Sequence, residues 1–437
     1  MSSGPTQLLA GIDLGTSFFK LGLFDRTGQL RGLARSAVPA ETQDGRCELG
    51  VEPFWATLAS LLSEALRQAG AGPESIAAVS YSSQANSFIL MDGDDQPLTP
   101  LILWPDGRAR GHTQPLEWLW GLVNFAEVTG IGISPTHEFA AGKLAWFRRG
   151  QPDLWSRVRR VKTISDYLVW GLTGRHGGDQ ATASLLGLWD VRGQQWWPAA
   201  IDLIGLDRAW LSTLAPPGTH LGPICADGAG RLGLPAGTPL AAGTLDHHAA
   251  AIGAGLAGPG ELSVSLGTVL ACVQLDDAYR PLAGCCVGPG TAGGYYRLAF
   301  HSDGVGLIDW YQRNFAPQLT VADLLDLASD VPADCDGLQA LPNVREHHGL
   351  TGLTGRRPTH GHGHFARALA TQVAGNLAVL VGKLCDGGRP HRVIATGGGT
   401  RHPLWLELAS EALGVAVTAS DYPEPACRGA AILASMA

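Results

Sequence analysis

Asp13, Gly15, Thr16, Ser17 and Lys20 fall within one short stretch, "DLGTSFFK", at the end of the apolar run "LLAGI". A glycine turn between two strands leaves backbone N–H groups pointing into one concavity. Such a nest binds phosphate oxygens, and neighbouring hydroxyls add donors. Asp13 is then placed to hold Mg²⁺, directly or through water. An ordinary hairpin with a surface carboxylate would use the same residues, so the stretch alone leaves both readings open. Leu-Gly-Thr returns in "ELSVSLGTVLACVQLDD", at Gly267 and Thr268, again between two β-rich runs that end in an acidic turn. Two such patterns at the starts of two similar halves predict a duplicated domain. The Pro/Gly-rich "LPAGTPLAAG" puts the boundary near 242–247, giving domains over 1–243 and 244–437.

Asp246 in "GTLDHHAAAIGAG" stands at a predicted helix start. An N-cap and a general base are both open to it. "TGGG", with Gly398 and Gly399, lies between a predicted strand and helix. Glycines there let a base or a phosphate approach the backbone, although a tight strand-to-helix connection would use them too. Gly253 to Gly258 matches G-x-G-x-x-G but follows a helical pattern and precedes a strand. That order is wrong for a dinucleotide site. No G-x-x-x-x-G-K-[ST] is present, which argues against a P-loop. His360, His362 and His364 alternate with glycine, and this pattern predicts a solvated loop rather than a metal site.

The elements that must carry these residues follow from periodicity. Residues 7–38 read as a three-stranded meander with turns at "GTS" and "RTGQ". Trp55, Leu58, Ala59, Leu62, Ala65 and Leu66 recur at helical spacing, with Pro53 in the first turn and Gly70 as a stop. The strands "SIAAVSYS", "NSFILMD" and "LILW" follow, then a Trp-rich middle from about 110 to 240 that core packing explains most simply. "ALATQVAGNLAVLVGKL", 368–384, reads as a buried helix, too short to span a bilayer comfortably. The end of the chain reads as the strand "HRVIAT", the turn and the helix "LWLELASEALG".

The 437 residues are 45% hydrophobic and 16% charged, which fits well-packed globular domains. Lys+Arg 31 against Asp+Glu 39 gives −8, with no basic block, so nucleic acid is not expected as a partner. "MSSGPTQ" lacks the pattern of a signal peptide. The eight cysteines form no C-x-x-C pair, and free thiols in a reducing cytoplasm are expected.

Taken in order, these pieces resemble the FGGY family of carbohydrate kinases, within the actin-like ATPase superfamily. "GIDLGTSFFK" is similar to the family's first phosphate motif and "SLGT" to its second. "LILWPDGRA", with Trp104, Asp106 and Arg108, resembles its W-x-D-x-R segment in the D-G-R form of the xylulokinase branch. "KLAWF" and "ISDYLVWGLTG" resemble helices of the sugar-binding domain. "GTLDHHAAAIGAG" resembles the segment carrying the family's catalytic Asp. "GVGLIDW" resembles its Gly-rich turn, and "TGGGTRHPLWLELASEALG" with "EPACRGAAILA" its adenosine motif and C-terminal signature.

The resemblance implies an α/β protein of two RNase H-like domains flanking a cleft, the first mainly for sugar and the second mainly for ATP. It implies ATP and Mg²⁺ as cofactors and a small sugar as substrate. The N-terminal pattern, the free thiols and the short apolar helix lead us to expect a cytoplasmic location and no membrane partner, and a homodimer is a candidate assembly. Asp246 would be the catalytic base and Asp13 the Mg²⁺ residue. Gly15, Thr16, Ser17, Lys20, Gly267, Thr268, Gly306, Gly398, Gly399 and His402 would face the nucleotide. Gln84, Ala85, Asn86, Trp104, Asp106, Arg108, Asp246 and His247 would face the sugar.

Departures bear on the substrate. The glycerol kinase branch has Arg-Glu after the Asn-Gln of the contact loop and a Tyr near Thr136, so glycerol is not expected. The xylulokinase branch reads Gly-Gln-Met-His-Gly where this chain has Ser83-Gln84-Ala85-Asn86, and His247 replaces Gln or Asn. Val269 stands where many members have Ser. A ketopentose such as D-xylulose leads. Another ketose or polyol (ribulose, a fructose-like sugar, erythritol or ribitol) is the alternative within the class. A sensor with little catalysis, or an actin-like or chaperone-type ATPase, is the alternative outside it. Asp13, Thr16, Asp246 and Thr268, all intact, argue against a sensor. Asp246 in its context and the W-x-D-x-R segment argue against the other ATPases.

Overall fold

The computed structural model describes residues 7–134 and 136–437, so the first six residues of the leader expectation lie outside the described residues. Two compact units interleave along the chain: one takes 1–255, 276–296 and 422–437, the other 256–275 and 297–421.

In the first unit the predicted meander is present as β1 (Leu8–Leu14), β2 (Phe18–Asp25) and β3 (Leu30–Ala37). The helix α1 (Val51–Ala69) ends at Gly70, in the left-handed conformation that the stop required. β4 (Ile76–Ser83), β5 (Phe88–Met91) and β6 (Leu101–Ile102) follow, and β7 (Thr244–Leu245) leads directly into α2 (Asp246–Gly253). The main sheet runs His220–Pro223, Pro239–Ala241, β4, β1, β2, β3, with β7 also pairing β4.

Strand alternation divides β1 between two cores. Leu8, Ala10, Ile12 and Leu14 pack with Phe19, Leu21, Leu23, Phe54 and Leu58 on the α1 side. Leu9 packs on the other side with Phe24, Ala78, Cys427 and Ala431, where the C-terminal helix Pro425–Ala434 covers the sheet. A strand buried on both faces reads as a continuous apolar run, which is why only its end carries a charge. At Gly11 the helix backbone comes so close that a Cβ would lie 1.9 Å from the Cys427 carbonyl oxygen. Gly253 and Gly429 allow the same approach between α2 and the C-terminal helix, where added Cβ atoms would lie 1.7 Å from the Pro425 oxygen and 1.9 Å from the Ala249 oxygen.

The second unit repeats the opening pattern. β8 (Glu261–Leu266) pairs antiparallel with β9 (Leu270–Asp276), as β1 does with β2. α3 (Gly306–Phe315) and α4 (His362–Leu384) lead to β10 (Arg392–Thr396), which pairs parallel with β8 as β4 does with β1. α5 (Pro403–Leu413) and β11 (Val417–Ala419) complete it.

Two expectations are corrected. The helix predicted over 368–384 is longer, 23 residues, and by length and composition alone it passes for a membrane span. Its packing supports the buried reading: Leu369, Val373, Leu377, Leu380 and Leu384 are all in the core. The added turn is the histidine stretch, which is not a solvated loop. His362 opens α4 and bonds the Tyr311 hydroxyl, His360 is buried and stacks on His364, and His364 bonds Asp336.

Candidate active site

Asp13 lies on the face of β1 opposite α1. The register sets Lys20 of β2 on one side of it and Ser82 of β4 on the other. Ser82 Oγ donates to Asp13 Oδ1 at 2.8 Å, and Lys20 Nζ lies 3.9 Å from Oδ2. Burial pushes the Asp13 pKa up to about 6. Lys20 and Ser82 oppose that rise, while the charges of Asp246 and Glu424 add to it. Burial works to lower Lys20, but Asp13 and Glu424 outweigh it and the net shift is upward.

β7 pairs with Ser82 and Ser83 and so delivers Asp246 to the same end of the sheet. Leu245 occupies the cap position and Asp246 is the first helical residue. Asp246 Oδ1 accepts from the His247 N–H at 2.7 Å. Asp13 and Asp246 thus share one end of the sheet, and the Asp13 carboxylate is a hard-oxygen ligand of the kind that Mg²⁺ takes.

The turn after β1 is tied into the contact loop. A Cβ on Gly15 would lie 2.7 Å from the Phe18 oxygen, while Thr16 and Ser17 are exposed. Gln84 Nε2 donates to the Gly15 carbonyl at 3.1 Å, and Gln84 Oε1 accepts from Ser87. Asn86 has φ +62°, and its Oδ1 accepts from the Ala140 N–H at the start of helix Ala140–Gly150. Ala85 between them is half-buried. Trp104 Nε1 donates to Thr16 Oγ1 at 2.7 Å.

Asp106 is fully buried. Burial alone would raise its pKa, but hydrogen bonds from the Arg108 side chain and from the Cys47 and Arg108 N–H groups lower it. Arg108 also pairs with Glu48 and lies over the Phe147 ring at 4.8 Å. Asp106 and Arg108 therefore brace one another, and only Trp104 of that segment reaches the turn. Lys143 was missed by motif reading because it lies inside an apolar helical pattern. Its Nζ donates to the Leu103 and Trp104 carbonyls at 3.0 and 2.8 Å, and burial pushes its pKa down to about 7.

In the second unit three glycine turns converge. Val305 N donates to the Gly267 oxygen at 2.9 Å, and a Cβ on Gly306 would lie 2.7 Å from Thr268 Cγ2. A Cβ on Gly399 would lie 2.7 Å from Leu266 Cβ. Thr268 and Gly398 are exposed. His402 is spent differently: Nδ1 accepts from the Leu404 N–H as the cap of α5, and Nε2 bonds Asp326 at 3.2 Å.

Comparison with known proteins gives two matching family models. The N-terminal domain of the FGGY family of carbohydrate kinases matches residues 8–253, and its C-terminal domain matches 310–437. The xylulose kinase of Lactococcus lactis is 26% identical over 417 residues, 92% of this chain and 82% of its own. The gluconokinase of Bacillus subtilis is also 26% identical, over 98% of this chain and 87% of its own. The crystal structure of xylulose kinase from Rhodospirillum rubrum matches with a TM-score of 0.89 at 24% identity, covering 98% and 90%.

Proposed function

The chain belongs to the FGGY family of carbohydrate kinases, and we propose that its substrate is a ketopentose, with D-xylulose first. It is a sugar kinase with an α/β fold of two RNase H-like domains. The observation that carries the site assignment is the delivery of Asp246 by β7 to the sheet end that holds Asp13.

In this reading Asp246 accepts the proton of the attacking sugar hydroxyl. Bound Mg-ATP supplies the phosphoryl group and neutralises its charge. Asp13 holds the metal, directly or through water. Thr16, Ser17 and Lys20 with the Gly15 backbone, and Thr268 with the Gly267 backbone, steady the phosphates. Gly306, Gly398 and Gly399 let the nucleotide lie against main chain. Ala85, the Asn86 amide nitrogen, Trp104 and His247 face the sugar. Gln84, Asp106 and Arg108 hold that surface in shape, and we assign His402 to the helix cap. We keep the functional division at 243/244, the first part mainly sugar-binding and the second mainly ATP-binding, with the phosphate turn at residues 15–20 contributed from the first part and His247 contributed to the sugar from the second. We place the enzyme in the cytoplasm, with no nucleic acid or membrane partner and a homodimer as candidate assembly.

The test is ADP release with Mg-ATP against xylulose (both enantiomers), ribulose, fructose, xylitol, ribitol, erythritol and glycerol. Gluconate joins the panel because the gluconokinase relative matches at equal identity. Stimulation by a pentulose, abolished in Asp246→Asn, supports the reading. Stimulation by gluconate or a polyol alone moves the substrate. No stimulation by any of them, with ATP bound, favours the sensor.

A further inference from the structure

Lys20 is held by a residue far away in sequence. Its Nζ donates to Glu424 Oε2 at 2.6 Å, while Asp13 lies at 3.9 Å on its other side. Both side chains of the Lys20–Glu424 pair are about one-quarter exposed, so the pair is largely shielded from water. Glu424 precedes the C-terminal helix and has φ +47°, ψ +63°. A non-glycine residue in the left-handed region is strained, and such strain persists where the surroundings over-determine it. Here they do. The helix that follows is seated on β1 at Gly11, and Arg428 Nη1 donates to the Gly253 carbonyl at 2.7 Å while its guanidinium lies 3.5 Å over the Tyr422 ring.

We propose that Glu424 is a positioning residue for phosphoryl transfer: it fixes the Lys20 ammonium beside Asp13, aimed where a phosphate oxygen must arrive. A lysine is a flexible point charge on a four-carbon stem. Left to itself it would order only when ligand binds, and that ordering would be drawn from binding energy. An anchor on a rigid helix start removes the cost beforehand. Glu424 touches neither substrate nor metal in this role and acts only through Lys20. The inference rests on the kinase reading for its catalytic consequence, but not for its effect on nucleotide affinity.

The experiment is a double-mutant cycle on the full chain. Mg-ATP affinity is read by titration calorimetry and sugar-stimulated ADP release is read beside it. Glu424→Ala lowers kcat/KM for ATP about tenfold and leaves the sugar KM unchanged, as expected for loss of one charge-assisted contact. Glu424→Gln keeps an acceptor and recovers to within about threefold of wild type. In a Lys20→Ala background Glu424→Ala has no further effect, because the two act as one unit. A folded Glu424→Ala within about twofold of wild type, or losses that add in the Lys20→Ala background, overturns the proposal. Should Glu424→Ala not fold, Glu424→Gln must still show a loss that vanishes without Lys20, and its absence overturns the proposal equally. If no sugar stimulates the wild type, the same cycle is read on Mg-ATP affinity alone. The substrate reading then fails by itself while this one is still decided.

Discussion

The indole N–H of Trp104 donates to the hydroxyl oxygen of Thr16 across 2.7 Å, joining the segment assigned to the sugar with the turn assigned to phosphate. An indole is a donor only, so it occupies a lone pair of Thr16 and leaves the hydroxyl proton free to point elsewhere. Trp104 is itself fixed, because Lys143 holds its carbonyl.

Trp104→Phe keeps an aromatic face and removes this donor. A net hydrogen bond is worth about 1 kcal/mol, so kcat/KM for ATP falls roughly fivefold. The melting temperature changes little, since the bond lies at the surface. Steady-state kinetics with ATP and sugar varied separately checks it: a loss confined to the sugar KM would show that the ring, not the N–H, is what matters.

Asp13→Asn separates activity from stability. The folded pKa of Asp13 is raised to about 6 from 3.8. A carboxyl raised on folding favours the native state most at low pH, and that advantage is lost as pH rises through about 6. At pH 8 the buried charge is a cost, so the ligand-free Asn variant melts higher than wild type there, and the difference shrinks at pH 5. Its turnover falls on the order of a thousandfold, as for other groups that place charge at the reacting centre. Calorimetric scans at the two pH values with ADP-release assays test both halves.

Lys143 gives a pH signature of its own. Its pKa is depressed to about 7 from 10.5, so the unfolded chain binds its proton more readily than the native state. Stability from this group is therefore full at high pH and is lost as pH falls towards about 7. Lys143→Met lacks the titration. Its melting temperature relative to wild type should rise between pH 9.5 and pH 7. A difference independent of pH would mean that Lys143 stays charged in the fold.

Much of this was legible in the sequence. The β1–β2–β3 meander, α1 with its Gly70 stop, and the repeat of β1–β2 as β8–β9 all follow from alternation and turn glycines, which are local signals. The bonds that complete the site are not local. Ser82 meets Asp13 through strand register, Glu424 meets Lys20 because the C-terminal helix returns to β1, and Lys143 reaches the Trp104 carbonyl from inside an apolar pattern. The tryptophans behave likewise: Trp120 stacks on Phe125 with centroids 4.3 Å apart, and Trp189 meets Trp196 edge-on, partners that periodicity does not reveal. The α4 boundary is not legible locally, because alternating His and Gly read as a loop, while tertiary bonds to Tyr311 and Asp336 support a helical start.

The glycine pair between α2 and the C-terminal helix fixes the helix that carries Asp246. A Cβ on Gly253 would lie 1.7 Å from the Pro425 oxygen, a distance that only backbone movement can relieve. Overpacking of this kind costs about 1–3 kcal/mol and sometimes more. Gly253→Ala should lower the melting temperature and, by moving α2, reduce kcat beyond what the lost stability explains at a temperature where the variant is fully folded. Gly382→Ala is the control, since its Cβ meets nothing and a helical glycine gains about 1 kcal/mol on becoming alanine.

Gly306 tests the second unit by the same logic. Its Cβ would meet Thr268 at 2.7 Å from Cγ2 and 3.1 Å from both Cα and the carbonyl oxygen. The side-chain contact can rotate away, but the two backbone contacts cannot, so the turn at Gly267 must shift by tenths of an ångström. If Thr268 and the Gly267 N–H steady phosphate, that shift weakens nucleotide and spares sugar. Gly306→Ala should raise the KM for ATP about tenfold, the scale of one misaligned charge-assisted contact, with the sugar KM within twofold. Equal increases in both constants would show that the turn serves general folding rather than nucleotide binding.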